Sequence, residues 1–365
     1  MVLVFCFVDE FLAFWRIYEK VFFIRDLVSA FLLYHQQSLW CKPFGGCSLV
    51  KNQIGKKGVV MLDLRMPASY KKGHVPGAVY TNYSKDGWRV KNSEGIAGML
   101  PSVEQISNLI GSLGIGNQDH VVLIPYGTSS SKMGTATRIY WTFKVLGHDK
   151  VSILNGGMAA YKKAKKPAFP IETVPNSLQP KTFQASFKKE WVLSRDQVRQ
   201  AFDNGDVFLD SRTDDQFMGL NKHPKAKALG TIPGSINVPQ DWLTHGGKGT
   251  FRDIPALKQI MKRQGVPDQS NVITFCNTGH WASLDWFVLS ELLGNPNVRM
   301  YDGSLLDWTA ADFHWLRRTR SSRRLCHRGC VCFSFGRPNG GCHARSQWRS
   351  RSPSSLWKLR GRCDE

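Results

Sequence analysis

Short continuous apolar runs alternate along this chain with longer stretches in which apolar positions recur every three or four residues. Val59–Leu64 and Val121–Ile124 are runs of strand length, and a strand buried on both faces has this unbroken form. Between them, Ser102-Val-Glu-Gln105 has the spacing of a capping box. It opens a helix with Ile106, Leu109, Ile110 and Leu113 on one face and Gly114 at its end. The same order returns later. Val207–Leu209 and Asn271–Phe275 read as strands, Ser194-Arg-Asp-Gln197 as a second capping box, and Leu257–Met261 as part of a helix stopping near Gly265. Ala282–Leu293 reads as an amphipathic helix, with Leu284, Phe287, Val288 and Leu292 in one stripe and Gly294 as its stop. Strands alternating with helices predict an α/β protein whose parallel sheets carry helices on both faces.

The returning order is a true repeat. Val60-Met-Leu-Asp63-Leu-Arg65 recurs as Val207-Phe-Leu-Asp210-Ser-Arg212. Gly73-His-Val-Pro-Gly77 recurs as Gly230-Thr-Ile-Pro-Gly234, and Asn155-Gly156-Gly157 as Asp302-Gly303-Ser304. Asp63 and Asp210 are 147 positions apart, as are Gly156 and Gly303. An offset of domain size implies duplication of a whole domain, not a solenoid of short units. The expected organisation is a first domain over 50–166, a linker over 167–190 and a second domain over 191–312. The lysines of the Pro-rich stretch Lys162–Lys189 are expected to be solvated.

Composition refines this picture mainly at the ends. The chain has 365 residues, 42% of them hydrophobic, enough for two ordinary domains and too apolar for a disordered or collagen-like chain. No uninterrupted apolar run approaches the ~20 residues of a spanning helix, so no membrane partner is expected. Residues 1–47 form an irregular extension whose early apolar stretch is broken by Asp9 and Glu10, unlike a secretory signal. Residues 313–365 hold 12 Arg, one Lys and two acids of a chain with net charge +21. That tail could meet phosphate or, through Cys326, Cys330, Cys332 and Cys342, hold zinc. Its cysteine spacings lack the paired C-x2-C form, and a disordered extension is the preferred reading. Neither nucleic acid nor metal is therefore expected as a partner. Both ends are expected to be translated out of the ancestral frame; an intact frame with matching ends in close relatives would remove that expectation.

The chemical signal is a single cysteine. Cys276 alone lies between residues 48 and 312, at the end of one strand and ahead of the next helix. Ligands of open parallel sheets bind beyond the carboxyl ends of the strands. A short loop there, Cys276-Asn277-Thr278-Gly279-His280-Trp281, directs backbone N–H groups and the helix dipole inward. A cysteine in such a loop is expected to ionise more readily than a free thiol, pKa ~8.5. The alternative is a small buried hydrophobe. One reactive cysteine in the core suits a reducing cytosol, which makes cytoplasmic residence the expectation, with a periplasmic location open if the native N-terminus differs.

The D-x-R segment, the G-x-(I/V)-P-G turn, the cysteine loop and the final (N/D)-G-(G/S) turn together resemble the rhodanese family. Their presence twice, over about residues 55–312, with cysteine only in the second copy, resembles the tandem-domain thiosulfate and 3-mercaptopyruvate sulfurtransferases. The resemblance implies two tandem rhodanese-like domains, the first inactive, with Tyr126-Gly-Thr-Ser-Ser-Ser131 in place of the cysteine loop. It implies that Cys276 takes sulfane sulfur from a small donor and passes it to cyanide or a thiol, with no metal or organic cofactor. The Asn277–Trp281 amides would steady the charge. Thr213–Gly219 lacks the anion-holding arginine that many tandem members carry. Arg212, Lys227, Lys248 and Arg252 are candidates to replace it, although Arg212 is expected to pair with Asp210. His280 could shuttle a proton or merely line the loop, and Trp281 is expected to narrow access. A cysteine phosphatase would need an arginine six positions after the cysteine, where Ala282 stands. A non-catalytic rhodanese-like carrier or interaction module is the remaining alternative.

Overall fold

The computed structural model describes residues 43–164 and 169–311. Expectations for the Arg-rich tail, and for the extension before Pro43, lie outside the described residues. In chain order the first half contains β1 (Phe44–Gly45), β2 (Val59–Asp63), β3 (Val79–Tyr80), β4 (Val90–Lys91), β5 (Ala97–Met99), β6 (His120–Ile124) and β7 (Val151–Leu154). The second half contains β8 (Val207–Asp210), β9 (Ile236–Asn237), β10 (Val272–Phe275) and β11 (Val298–Met300). They form two parallel sheets, ordered β1-β7-β6-β2-β3 and β11-β10-β8-β9, with β4 and β5 as a separate antiparallel hairpin. Both capping boxes are closed, Ser102 with Gln105 and Ser194 with Gln197.

Two corrections follow from packing rather than pattern. The stretch read as an irregular extension ends in β1, which pairs with β7. Two residues joined only through main-chain bonds leave no periodicity to detect. The Ala282–Leu293 segment is not a one-striped helix. It is an α-helix over Ala282–Trp286 that continues as a π-helix over Phe287–Leu292, and Ala282 to Leu289 are buried on every side. One side meets its own sheet, and the other meets the Ser130–Val145 helix of the first domain. Such double cover leaves the helix no solvated face, so that even Ser283 and Asp285 are buried.

Strand parity explains where the two domains meet. In β2, Val60 and Leu62 face one apolar cluster while Met61 faces another. In β10, Val272 joins the cluster of Val60 and Leu62, whereas Ile273 and Phe275 join a cluster confined to the second domain. Successive side chains on a strand point to opposite faces, so each sheet turns one face toward a core shared by both domains. Burial of each Val, Leu or Ile there is worth about 1.5–3 kcal/mol. Cys276 continues the parity of Val272 and packs at the edge of that shared core. The linker lies along the first domain: Lys181 N donates to Gly111 O at 2.9 Å and Ser186 N to Leu146 O at 2.9 Å. Lys181 is correspondingly not simply solvated, since its Nζ lies 2.6 Å from Asp119 Oδ2.

Candidate active site

Cys276 follows β10 directly, and the Ser304 turn fixes the loop that it begins. Ser304 Oγ accepts N–H groups from Cys276 at 3.1 Å and Gly279 at 3.0 Å, and donates to Tyr301 O at 2.8 Å. Leu305 N donates to Cys276 O at 3.0 Å and Leu306 N to Asn277 O at 3.1 Å. Ser304 has φ 50°, in the left-handed region, where its counterpart Gly157 in the first domain has φ 54°. A side chain there costs of order 1 kcal/mol, and the serine hydroxyl offsets this by holding two loop amides. Gly279 has φ 70°, and a Cβ on it would lie 2.5 Å from Arg138 Nη1 and 2.8 Å from Asp302 O. Only glycine fits that turn.

The expected ring of donors is therefore smaller than the sequence implied. The Gly279 amide is spent on Ser304. Among the described residues, the N–H groups of Asn277, Thr278, His280 and Trp281 have no protein acceptor. Cys276 itself is only 1% exposed, yet it lines a cleft of about 300 Å³. From the second domain, Asn277, Thr278, His280, Trp281 and His223 join it; from the first come Tyr83, Arg89 and Ser131. The cleft thus belongs to both domains. Sequence reasoning missed these three as cleft residues: no local motif marks Tyr83 or Arg89, and Ser131 stood only as the end of the loop without a cysteine.

His280 is committed to the domain boundary. Its Nε2 lies 2.9 Å from the carbonyl of Ser131, an acceptor only, so Nε2 carries the proton and Nδ1 accepts from Tyr83 Oη at 2.9 Å. Burial, then the charge of Arg89, lowers its pKa to about 3. A neutral imidazole with both nitrogens occupied by the other domain lines the loop and is not poised to shuttle protons. Burial raises the Tyr83 hydroxyl above its ordinary pKa, which keeps it a donor. Trp281 Nε1 donates to Ser131 Oγ at 3.1 Å, so its ring forms a wall of the cleft.

Arg138, from the Ser130–Val145 helix, completes the junction. It pairs with Asp302 at 2.5 Å and donates through Nη1 to Gly279 O at 3.2 Å. Asp302 Oδ2 accepts Leu100 N at 2.6 Å. Arg89 donates to Thr278 O and, at 3.0 Å, to Gly98 O.

The other sequence candidates lie elsewhere. Arg212 pairs with Asp210 at 2.6 Å, donates to Gly230 O at 2.8 Å and is buried; Thr231 Oγ1 also donates to Asp210 at 2.7 Å. Asp63, Arg65 and Gly73 O repeat that arrangement in the first domain, whose corresponding loop has no cysteine, so the pair braces the turn. Lys227 is exposed, and its amide donates to Thr309 Oγ1 at 3.1 Å. Lys248 and Arg252 flank Gly249, whose carbonyl accepts Gly156 N at 3.0 Å beside the cysteine-less loop of the first domain. None of the three lines the Cys276 cleft. In the segment after Arg212, Gln216 Oε1 accepts Asn277 Nδ2 at 2.8 Å.

A family model described as a rhodanese-like domain matches residues 47–164 and again 194–311. The chain belongs to the tandem rhodanese sulfurtransferases. It is 33% identical over 250 residues to "Putative thiosulfate sulfurtransferase 1" of Mycobacterium bovis, covering 66% of this chain and 84% of that protein. It is 29% identical over 251 residues to the sulfur carrier protein TtuD of Thermus thermophilus, covering 66% and 83%. Among solved structures it resembles the 3-mercaptopyruvate sulfotransferase SseA of Escherichia coli, with TM-score 0.61, 26% identity, and 72% and 98% coverage. Among the described residues of this rhodanese, no helix is long and apolar enough to cross a membrane.

Proposed function

We propose that this rhodanese moves sulfane sulfur from thiosulfate, or from 3-mercaptopyruvate, to cyanide or a thiol through a persulfide on Cys276. The observation that carries the reading is the position of Cys276: at the end of β10, lining an open cleft, in a loop whose four remaining amides lack protein acceptors. Preorganised donors of this kind stabilise an anion without reorganising. The names of the relatives in Mycobacterium bovis and Thermus thermophilus agree with this chemistry.

The thiolate of Cys276 attacks the outer sulfur of thiosulfate. A new S–S bond forms, the old one breaks, and sulfite leaves with the electron pair. With 3-mercaptopyruvate the C–S bond breaks instead, and the thiol proton ends on carbon as pyruvate forms. The acceptor then attacks the terminal sulfur of the persulfide, taking it and returning Cys276 as thiolate. This is ping-pong nucleophilic catalysis. Cyanide leaves as thiocyanate.

Thiocyanate release, measured with each donor, tests the reading and ranks the donors. Wild-type protein is expected to turn over at least one of them, and Cys276→Ser to release none while keeping its folded circular-dichroism spectrum. Undiminished release by Cys276→Ser would overturn the assignment. Inactivity of the wild type with every sulfane donor would instead favour the non-catalytic module.

A further inference from the structure

The charge inventory of the cleft is uneven. His280 is neutral, as described. His223 is held below its ordinary pKa by burial and then by the charges of Lys225 and Lys222. Arg89 is the one permanently charged side chain in the lining. Among the described residues no carboxylate lies within ion-pair distance of it, whereas its neighbour Arg138 is neutralised by Asp302.

The partners of Arg89 hold it without compensating it. Gly98 O and Thr278 O take two of its five N–H groups, and both are neutral carbonyls. Its guanidinium lies 5.6 Å from the centre of the Tyr83 ring. The β4–β5 hairpin serves this placement. Arg89 directly precedes β4, and Gly98 of β5 has φ 92°, where a Cβ would collide with the guanidinium. A guanidinium of fixed orientation, with N–H groups to spare and no carboxylate partner, in the same cleft as Cys276 suits a planar or tetrahedral oxyanion. The second domain offers no such group in the segment after Arg212, where Gln216 meets Asn277.

We infer that Arg89, supplied by the domain without the cysteine, holds the anionic group of the sulfur donor over Cys276 and selects anionic donors over neutral ones. The inference rests on the sulfurtransferase reading for the identity of the donor, and on the cleft alone for the anion. Sulfonate and carboxylate share the chemistry. A rise in KM for thiosulfate alone on changing Arg89 assigns the sulfonate; a rise for 3-mercaptopyruvate as well assigns both.

The test compares alkylation of Cys276 by iodoacetate and by neutral iodoacetamide in the wild type, Arg89→Gln and Arg89→Lys, read on the Cys276 peptide by mass spectrometry. The ratio of the two rates is expected to fall about tenfold in Arg89→Gln, the scale of removing one poorly screened charge. It is expected to recover in large part in Arg89→Lys. KM for the anionic donor should rise in step, with kcat less affected. An unchanged ratio in Arg89→Gln, or equal loss with both reagents, would overturn the inference; the neutral reagent reports any general damage to the loop. The ratio needs no sulfur transfer. Arg89-dependent alkylation without persulfide formation would therefore refute the donor chemistry and leave the anion site standing.

Discussion

Arg138 of the first domain meets Asp302 of the second at 2.5 Å, both about 1% exposed. The pair stands behind the cysteine loop, since Arg138 also holds Gly279 O and Asp302 holds Leu100 N. A buried pair is costly to break singly, because the survivor is left as an uncompensated charge.

Arg138→Met and Asp302→Leu are each expected to lose about 3–5 kcal/mol in urea unfolding. The double variant should recover much of that stability. Activity should stay low in Arg138→Met and in the double variant, because both remove the donor to Gly279 O. Recovery of activity with stability in the double variant would show that the pair contributes nothing to the loop.

Ser304 separates strain from hydrogen bonding. Ser304→Ala keeps a side chain at φ 50° and orphans two buried amides, a loss of about 1–3 kcal/mol. Ser304→Gly orphans the same amides but releases the strain. The alanine variant should therefore be the less stable of the two by about 1 kcal/mol, and both should transfer sulfur slowly. Thermal unfolding side by side checks the order.

His280 sets a pH dependence with a definite sign. Its folded pKa is lowered to about 3 from 6.5, so between those values the unfolded chain binds a proton that the folded chain refuses. Its contribution to stability is complete above about pH 6.5 and is lost as the pH falls toward 3, by at most ~1.4 kcal/mol per pH unit. His120, lowered to about 4 chiefly by burial, acts in the same direction. Melting temperatures from pH 7.5 to 4.5 should fall on acidification, and His280→Gln should flatten the fall. An equal slope in that variant would contradict the buried neutral imidazole.

Asp285 acts in the opposite sense. Burial, reinforced by nearby Asp210, raises its pKa well above the carboxylate range. A group raised in the folded state contributes most below its unfolded pKa of 3.8 and loses that contribution as the pH rises through the folded value. Asp285→Asn is therefore expected to raise the melting temperature at pH 8 and to gain less near pH 5. A lower melting temperature at pH 8 would contradict a buried protonated acid.

What the sequence made legible was local. β2, β6, β8 and β10 stand as apolar runs, and Ser102 and Ser194 announce their helices, because each signal is complete within a few neighbours. The position of the cysteine loop was legible for the same reason: a strand end followed by a helix start. What stayed hidden depends on the two copies facing one another. Tyr83, Arg89 and Ser131 are ordinary loop and helix residues until the shared core brings them over Cys276. The cover on both sides of Ala282–Leu289 likewise erases the polar face that a single-domain reading expects. The role of Ser304 follows from a backbone angle that a Gly-to-Ser difference between repeats only hints at.

The central claim is that Cys276 carries the transferred sulfur. Intact-mass and peptide mass spectrometry after thiosulfate treatment, with excess donor removed, tests it most directly. The prediction is a gain of one sulfur atom on the Cys276 peptide, removed by cyanide and absent from Cys276→Ser. Transfer of sulfur to cyanide with no added mass on Cys276, or with the added sulfur on another cysteine, would contradict it.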